Sequence, residues 1–252
     1  MNRASEDAAF RWSMVADSFR RPYPVPLPMV VLLLLVPVYL FIPSLTPVRT
    51  LHVPELALDR AVPLQPVWAL IYGAVYVFLI LLPLFVVRQE PQIRRTLHAY
   101  LLVWLTAYVC FILYPTVASR PESVTGEGFA VWGLNALYSS DPPYNCFPSI
   151  HVAHSFVSAM TCRRVHRGLG NVTLACAALV GVSTLFTKQH YVADVLAGIL
   201  LALVADALFL RRFHPHDVPE LDRRLAPALA LVTLGLVSAG VAGFWALYQW
   251  QT

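Results

Sequence analysis

The sequence predicts an all-α fold: a polytopic transmembrane helix bundle of about seven spans. Three observations carry that class. Of 252 residues, 58% are hydrophobic and only 13% charged, with mean hydropathy +0.63. Several stretches reach or approach the roughly 20 apolar residues that a bilayer crossing needs. The apolar runs are continuous rather than alternating, which argues against a membrane β-barrel. A soluble all-α domain of this length would carry more polar surface.

Taken in order, residues 1–28 read as a charged cytoplasmic lead-in with no small-residue cleavage site, and so no cleavable signal peptide. Its end, "RRPYPVPLP" (Arg20 to Pro28), repeats Pro too often to propagate a helix and reads as extended. Residues 29–252 read as one transmembrane domain with a catalytic region at 113–198. The seven spans are expected near 29–44, 66–87, 97–114, 149–162, 169–187, 191–210 and 227–250. The first and fourth are short, and they need shielding by neighbours to extend into polar residues. Pro37 and Pro83 fall inside spans, where neighbouring helices re-satisfy the freed backbone groups. "GLVSAGVAG" in the last span offers a small-residue face for close helix packing.

Charge orients the bundle. With these spans, 14 of the 18 Lys and Arg fall on the side of the N-terminus, from Arg3 to Arg224. The other side holds Arg49, Arg60, Arg120 and Lys188. The positive-inside rule then makes the N-terminus cytoplasmic and the C-terminus extracytoplasmic, in the cytoplasmic (inner) membrane. The basic excess serves topology and anionic lipid heads, with no reason to invoke nucleic acid. Cys110, Cys162 and Cys176 lie in spans and Cys146 in a loop; without CxxC or metal-type spacing, no disulfide framework, zinc site or cofactor is expected.

The chemistry collects on the charge-poor side. "STLFTKQHYVADVLAG" (Ser183 to Gly198) places His190 and Asp194 four residues apart at the start of a span. On a helix they share a face. A carboxylate on one imidazole nitrogen fixes the tautomer and frees the other nitrogen as nucleophile or base. An unpaired carboxylate at that depth would be costly, so Asp194 needs a partner. "YNCFPSIHVAHS" (Tyr144 to Ser155) brings Ser149 and His151 to the start of another span. A helix start with free N–H groups, helped by Ser149, Arg120 and Lys188, suits an anion. Two imidazoles and cationic donors suit attack on phosphorus, one His as nucleophile and the other as proton donor. "HVAH" at His151 and His154 lacks a carboxylate or Cys to complete a metal site. The long loop 116–147 holds "GFAVWGLNALY", expected to lie at the lipid interface as a lid, an entry surface or a plain aromatic anchor.

These residues resemble the type-2 phosphatidic acid phosphatase superfamily, whose motifs run K-x6-R-P, P-S-G-H and S-R-x5-H-x3-D. Arg120-Pro121 matches the end of the first, with Leu113 at the Lys position; Pro148-Ser149-Ile150-His151 matches the second, with Ile for Gly. Ser183, His190 and Asp194 match the third, with Thr184 at the Arg position. The resemblance implies a six-helix phosphatase core plus one extra helix. It implies that His190 takes the phosphoryl group as phosphohistidine, Asp194 orients it, and His151 protonates the leaving group. It also implies that Arg120, Ser149 and Ser183 hold phosphate oxygens. Thr184 and "FPSIH" look more like the branch containing inositol phosphorylceramide synthase. Lys188, two residues before His190, is expected to replace part of the missing charge.

The expected function is metal-independent cleavage of a membrane lipid phosphate ester at the extracytoplasmic face. Two alternatives stand beside it: head-group transfer of the inositolphosphotransferase type, and a non-enzymatic lipid or anion transporter.

Overall fold

The computed structural model describes residues 11–45 and 50–251. Arg3 and Arg49, counted in the charge bias above, lie outside the described residues. Among those described, the chain is helical without a strand: α1 (Trp12–Phe19), α2 (Leu27–Leu45), α3 (Ala57–Ala61), α4 (Val67–Val86), α5 (Glu90–Leu113), α6 (Phe129–Ser140), α7 (Ile150–Val165), α8 (Arg167–Phe186), α9 (Val192–Leu208) and α10 (Glu220–Gln251). The seven expected spans map onto α2, α4, α5, α7, α8, α9 and α10. Five of these, α4, α5, α8, α9 and α10, are long and apolar enough to cross a membrane, and α7, with 16 residues, is shorter.

α7 is short for a physical reason. It packs against α4, α5, α8 and α9, so it needs no lipid-facing apolar surface. Ser155, Ser158 and Thr161 are buried in it. Interhelical hydrogen bonds replace apolar packing there: Tyr100 Oη lies 2.8 Å from Ser158 Oγ, Thr96 Oγ1 lies 2.6 Å from Thr161 Oγ1, and Gln92 Nε2 donates to Thr161 O at 2.9 Å. Such polar contacts hold helices together where lipid gives no hydrophobic drive.

The lead-in differs from the extended reading. Residues 22–26 are non-helical as expected, but α1 precedes them and buries Val15. Phe19 meets Phe85 edge-on, and Arg21 bonds Asp222 at 2.7 Å. The loop 116–147 likewise contains α6. Leu134 and Tyr138 of α6 are buried against Ala69 of α4, so this segment is packed and not only spread on a surface. Its outer face continues the aromatic patch: Trp132 lies near Phe244 and Tyr248, and its Nε1 donates to Gln251 at 2.9 Å.

The starts of α7 and α9 meet closely. Ser149 N–H donates to Asp194 O at 3.1 Å. A Cβ on Gly198 would sit 2.6 Å from Ser149 O, a backbone atom that cannot rotate away. Only glycine allows that approach. Gly198→Ala is therefore expected to lower stability by about 1–3 kcal/mol. Thermal unfolding in detergent checks this. Gly181→Ala, whose Cβ would make an ordinary 3.4 Å contact with Val195, is expected to be near neutral.

Candidate active site

Two turns build the site. In the first, α8 ends at Phe186 and α9 begins at Val192. Gln189 and His190 both donate their N–H groups to Thr184 O, at 3.0 and 3.3 Å. Lys188 adopts φ 54°, a left-handed conformation uncommon outside glycine. Its ammonium donates to Asp59 O and Val62 O at 3.0 and 2.5 Å, which ties the turn to α3. The Asp59 carboxylate completes the tie by accepting from Val192 N–H at 2.8 Å and Leu56 N–H at 2.7 Å. The turn that carries His190 is thus held from outside its own helices.

The second turn leads into α7. Thr116 Oγ1 accepts from Cys146 N–H at 2.8 Å and Phe147 N–H at 3.1 Å. Ser149 then caps α7, its Oγ accepting from Val152 N–H at 3.3 Å. Capping satisfies one of the free donors of the helix start. Two residues on from Ser149, His151 faces His190.

The two imidazoles are in contact. His151 Nδ1 lies 3.3 Å from His190 Nε2, with ring centroids 5.6 Å apart. His190 Nδ1 lies 3.5 Å from Asp194 Oδ2, an ion-pair distance rather than a formed hydrogen bond. Asp194 is fully buried. Its Oδ2 accepts from Tyr191 N–H at 2.8 Å, at the positive end of α9. A carboxylate beside Nδ1 favours the proton there, which leaves Nε2 with its lone pair. His151 Nδ1 is then the donor between the rings, an assignment from the network rather than an observed proton. Tyr72 and Tyr76 of α4 set their rings edge to face with His151, at 5.5 and 4.9 Å.

A cavity opens at this contact, lined by both histidines with Tyr39, Asp141, Asn145, Cys146 and Gln189, among others. Among the described residues, no Lys or Arg lines it. Tyr39 Oη donates to Asp141 at 3.3 Å. Burial, then the Asp194 and Asp141 carboxylates, push the Cys146 thiol well above its ordinary pKa. Gln189 Nε2 is buried without a hydrogen-bond partner. A second cavity on the α3 side is lined by His190, Lys188, Glu55, Asp59, Ser119 and Tyr191 among others.

The structure brings together His190, Asp194 and His151, and places the other expected residues differently. Ser183 and Thr184 are fully buried and line neither cavity. Their hydroxyls donate within α8, to Val180 O and Gly181 O, both at 2.7 Å. Their helical phase turns them into the bundle, where both hydroxyls are engaged by carbonyls of α8 itself. Ser149 is likewise taken up by capping. Lys188 belongs to the second cavity. Arg120 lines neither. It lies 4.2 Å over the Tyr138 ring and donates from Nη2 to Asp141 O and Tyr138 O, while its buried Nη1 has no partner. Burial lowers the Arg120 pKa, and Asp141 opposes that.

Sequence reasoning missed Asp59, Asp141, Gln189, and the tyrosines at 39, 72 and 76. Asp141 sits in a turn-rich run, "SSDPPYN", and Gln189 adjoins His190; both had a local signal. Tyr72 and Tyr76 are four apart on α4, a spacing that marks one face but not what it meets.

With the geometry in place, comparison with known proteins decides the family. The sequence model described as the PAP2 superfamily matches residues 50–208. The chain belongs to that superfamily. A PA-phosphatase related-family protein of Dictyostelium discoideum is 23% identical over 127 residues, covering 44% of this chain and 23% of the relative. The match therefore spans about a quarter of that relative's length. No solved structure matches.

The Asp59 tie yields a prediction. Asp59→Ala removes the acceptors of two part-buried N–H groups, at about 0.5–1.5 kcal/mol each. A lower thermal midpoint and a lower kcat are expected, although Asp59 contacts neither His151 nor Asp194. An unchanged midpoint and rate would show that the tie is idle.

Proposed function

We propose that the chain cleaves a membrane lipid phosphate ester through a phosphohistidine on His190. The observation that supports this is the 3.3 Å contact between His151 and His190, with Asp194 behind the second ring. The rings are close enough to flank one phosphorus, and a phosphoryl group reaches Nε2 by parting them. His190 Nε2 attacks phosphorus and the P–O bond to the leaving group breaks. His151 gives its proton to the leaving oxygen, then takes one from water, which attacks the phosphohistidine and releases phosphate. Asp194 stabilises the imidazolium character that His190 gains. Gln189 Nε2 donates to a phosphate oxygen, a role that fits a buried donor without a partner. Arg120 clamps the loop, and its Nη1 is a further donor. The charge bias favours an extracytoplasmic site in an inner membrane, with the N-terminus inside.

A second reading is head-group transfer, in which a lipid hydroxyl replaces water as acceptor. The cavity favours it in one respect. Asp141 lines it and, among the described residues, no Lys or Arg does, which suits a phosphodiester monoanion with hydroxyl substituents better than a monoester dianion. An assay with phosphatidic acid, an isoprenyl phosphate and phosphatidylinositol, with and without ceramide or diacylglycerol, separates the readings. Free phosphate supports hydrolysis, and a new phospholipid without free phosphate supports transfer. Transport retained by His190→Ala, with no ester cleavage by the parent, would instead support the transporter.

Two variants test the roles. His190→Ala is expected to abolish turnover and phosphoenzyme together. His151→Ala is expected to lose about 10²–10⁴-fold in turnover on a lipid ester. With p-nitrophenyl phosphate, whose leaving group needs no proton, that variant should accumulate phosphohistidine, read by a p-nitrophenol burst and acid-labile label. A variant that neither slows nor accumulates label would remove His151 from the mechanism. Gln189→Leu is expected to lower kcat/KM by about 10²-fold, the cost of one donor to the reacting oxygens. An unchanged kcat/KM would assign Gln189 to packing alone.

A further inference from the structure

Cys146 has no part in the chemistry above, yet it is placed against its centre. It reaches that place through the turn before α7, where Thr116 holds its N–H. Its thiol donates only a long contact, 3.5 Å, to Pro143 O. One ligand atom each from Cys146, His190 and Asp194 lie within 4.8 Å of one another, and all three residues are buried. Two more facts concern the atoms facing this point. His190 Nδ1 and Asp194 Oδ1 are both buried without a hydrogen-bond partner. A sulfur, an imidazole nitrogen and a carboxylate oxygen therefore converge on one spot, and the histidine and the aspartate each keep one buried atom without a hydrogen-bond partner.

We propose that Cys146, His190 and Asp194 form an inhibitory site for a borderline-soft divalent cation of the zinc class. The donor set is one that zinc accepts: Cys S, His N and carboxylate O. In a tetrahedral site the bonds are about 2.0–2.3 Å, so the ligand atoms stand about 3.3–3.8 Å apart. Contraction by about 1 Å, within reach of side-chain rotation, closes the set around the ion. Nδ1 is the nitrogen on offer, because Nε2 faces His151. Binding releases one proton to solvent, from Cys146 Sγ, while the His190 proton moves from Nδ1 to Nε2, so the ring stays neutral and Nδ1 offers its lone pair to the ion. The ion enters through the cavity that Cys146 and His190 both line. It then takes the place of the Nδ1 proton and neutralises Asp194. The electron density that Asp194 lends to the ring goes to the cation, and Nε2, now carrying the proton, has no lone pair with which to attack phosphorus. The sequence holds no sign of this site, since Cys146 is 44 residues from His190 and shares no metal-type spacing with it.

The inhibitory part rests on the phosphohistidine reading, and the test keeps the two apart. The full chain in detergent, stripped with chelator, is titrated with cobalt as a spectroscopic stand-in, and with buffered zinc during turnover of p-nitrophenyl phosphate. Parent, Cys146→Ser and Cys146→Ala are compared, each rate normalised to that variant's own chelated rate. The parent is expected to show a thiolate-to-cobalt band in the near ultraviolet that both substitutions remove. Half-inhibition of the parent is expected at zinc concentrations at least tenfold lower than for either variant. A cobalt spectrum that the substitutions leave unchanged overturns the site. Equal zinc sensitivity in all three overturns its inhibitory role. Should the parent cleave no ester, the phosphohistidine reading fails and the cobalt spectrum still decides the site.

Discussion

The site depends on one close approach, where the first turn of α7 lies against the first turn of α9. Gly198 has no side chain, so Ser149 O can come within 2.6 Å of where a Cβ would be. Ser149 N–H then bonds Asp194 O. These contacts set the depth and phase of both helices at their starts. His151 follows Ser149 by two positions, and His190 precedes Asp194 by four. The imidazoles meet because the backbones that carry them are stitched together, not because either ring holds the other. The remaining supports serve that junction. Asp59 and Lys188 brace the α9 side from α3, Thr116 braces the α7 side, and Tyr138 Oη reaches Thr187 O at 2.7 Å from α6.

The same junction explains why polar chemistry can sit in a membrane bundle. α7 carries Ser and Thr where a lipid-facing helix would carry Leu, and its neighbours supply partners for them. Over 16 residues it runs about 24 Å, so His151 at one end stands far from Arg163 and Arg164 at the other. Arg164 and Arg211 hold Asp206 there at 3.1 and 2.9 Å. The charged residues thus divide between the ends, a reactive set at one and a set of ion pairs at the other.

Much of this was legible in the sequence because periodicity and burial cost act locally. Long apolar runs forecast α4, α5, α8, α9 and α10 to within a turn at most ends, apart from the N-termini of α5 and α10. His190 and Asp194 were readable together from their four-residue spacing, although His190 stands in the turn before Tyr191, the N-cap of α9, and not on the helix face expected. His151 was readable from the charge bias and its place at a span start, which bring it to the same face as His190; nothing local fixes how closely the two rings approach. Ser183 and Thr184 show the limit. Their positions match a motif, but the phase of α8 turns their hydroxyls back to its own carbonyls. Lys188 shows another: adjacency to His190 told of proximity but not direction, and its ammonium is drawn to carbonyls of α3. Asp59, Tyr39 and Tyr76 were invisible because their meaning lies in contacts across more than seventy residues. α1 and α6 were missed because short helices stabilised by docking carry little periodic signal.

The central claim is that His151 and His190 flank a single phosphorus. A structure of the chain with bound vanadate, determined by electron cryomicroscopy, tests it most directly. The account predicts vanadium bonded to His190 Nε2, with His151 against the oxygen on the opposite apex and Asp194 still at Nδ1. Vanadate bound away from both rings, or held by one while the other turns out of the cavity, would contradict it.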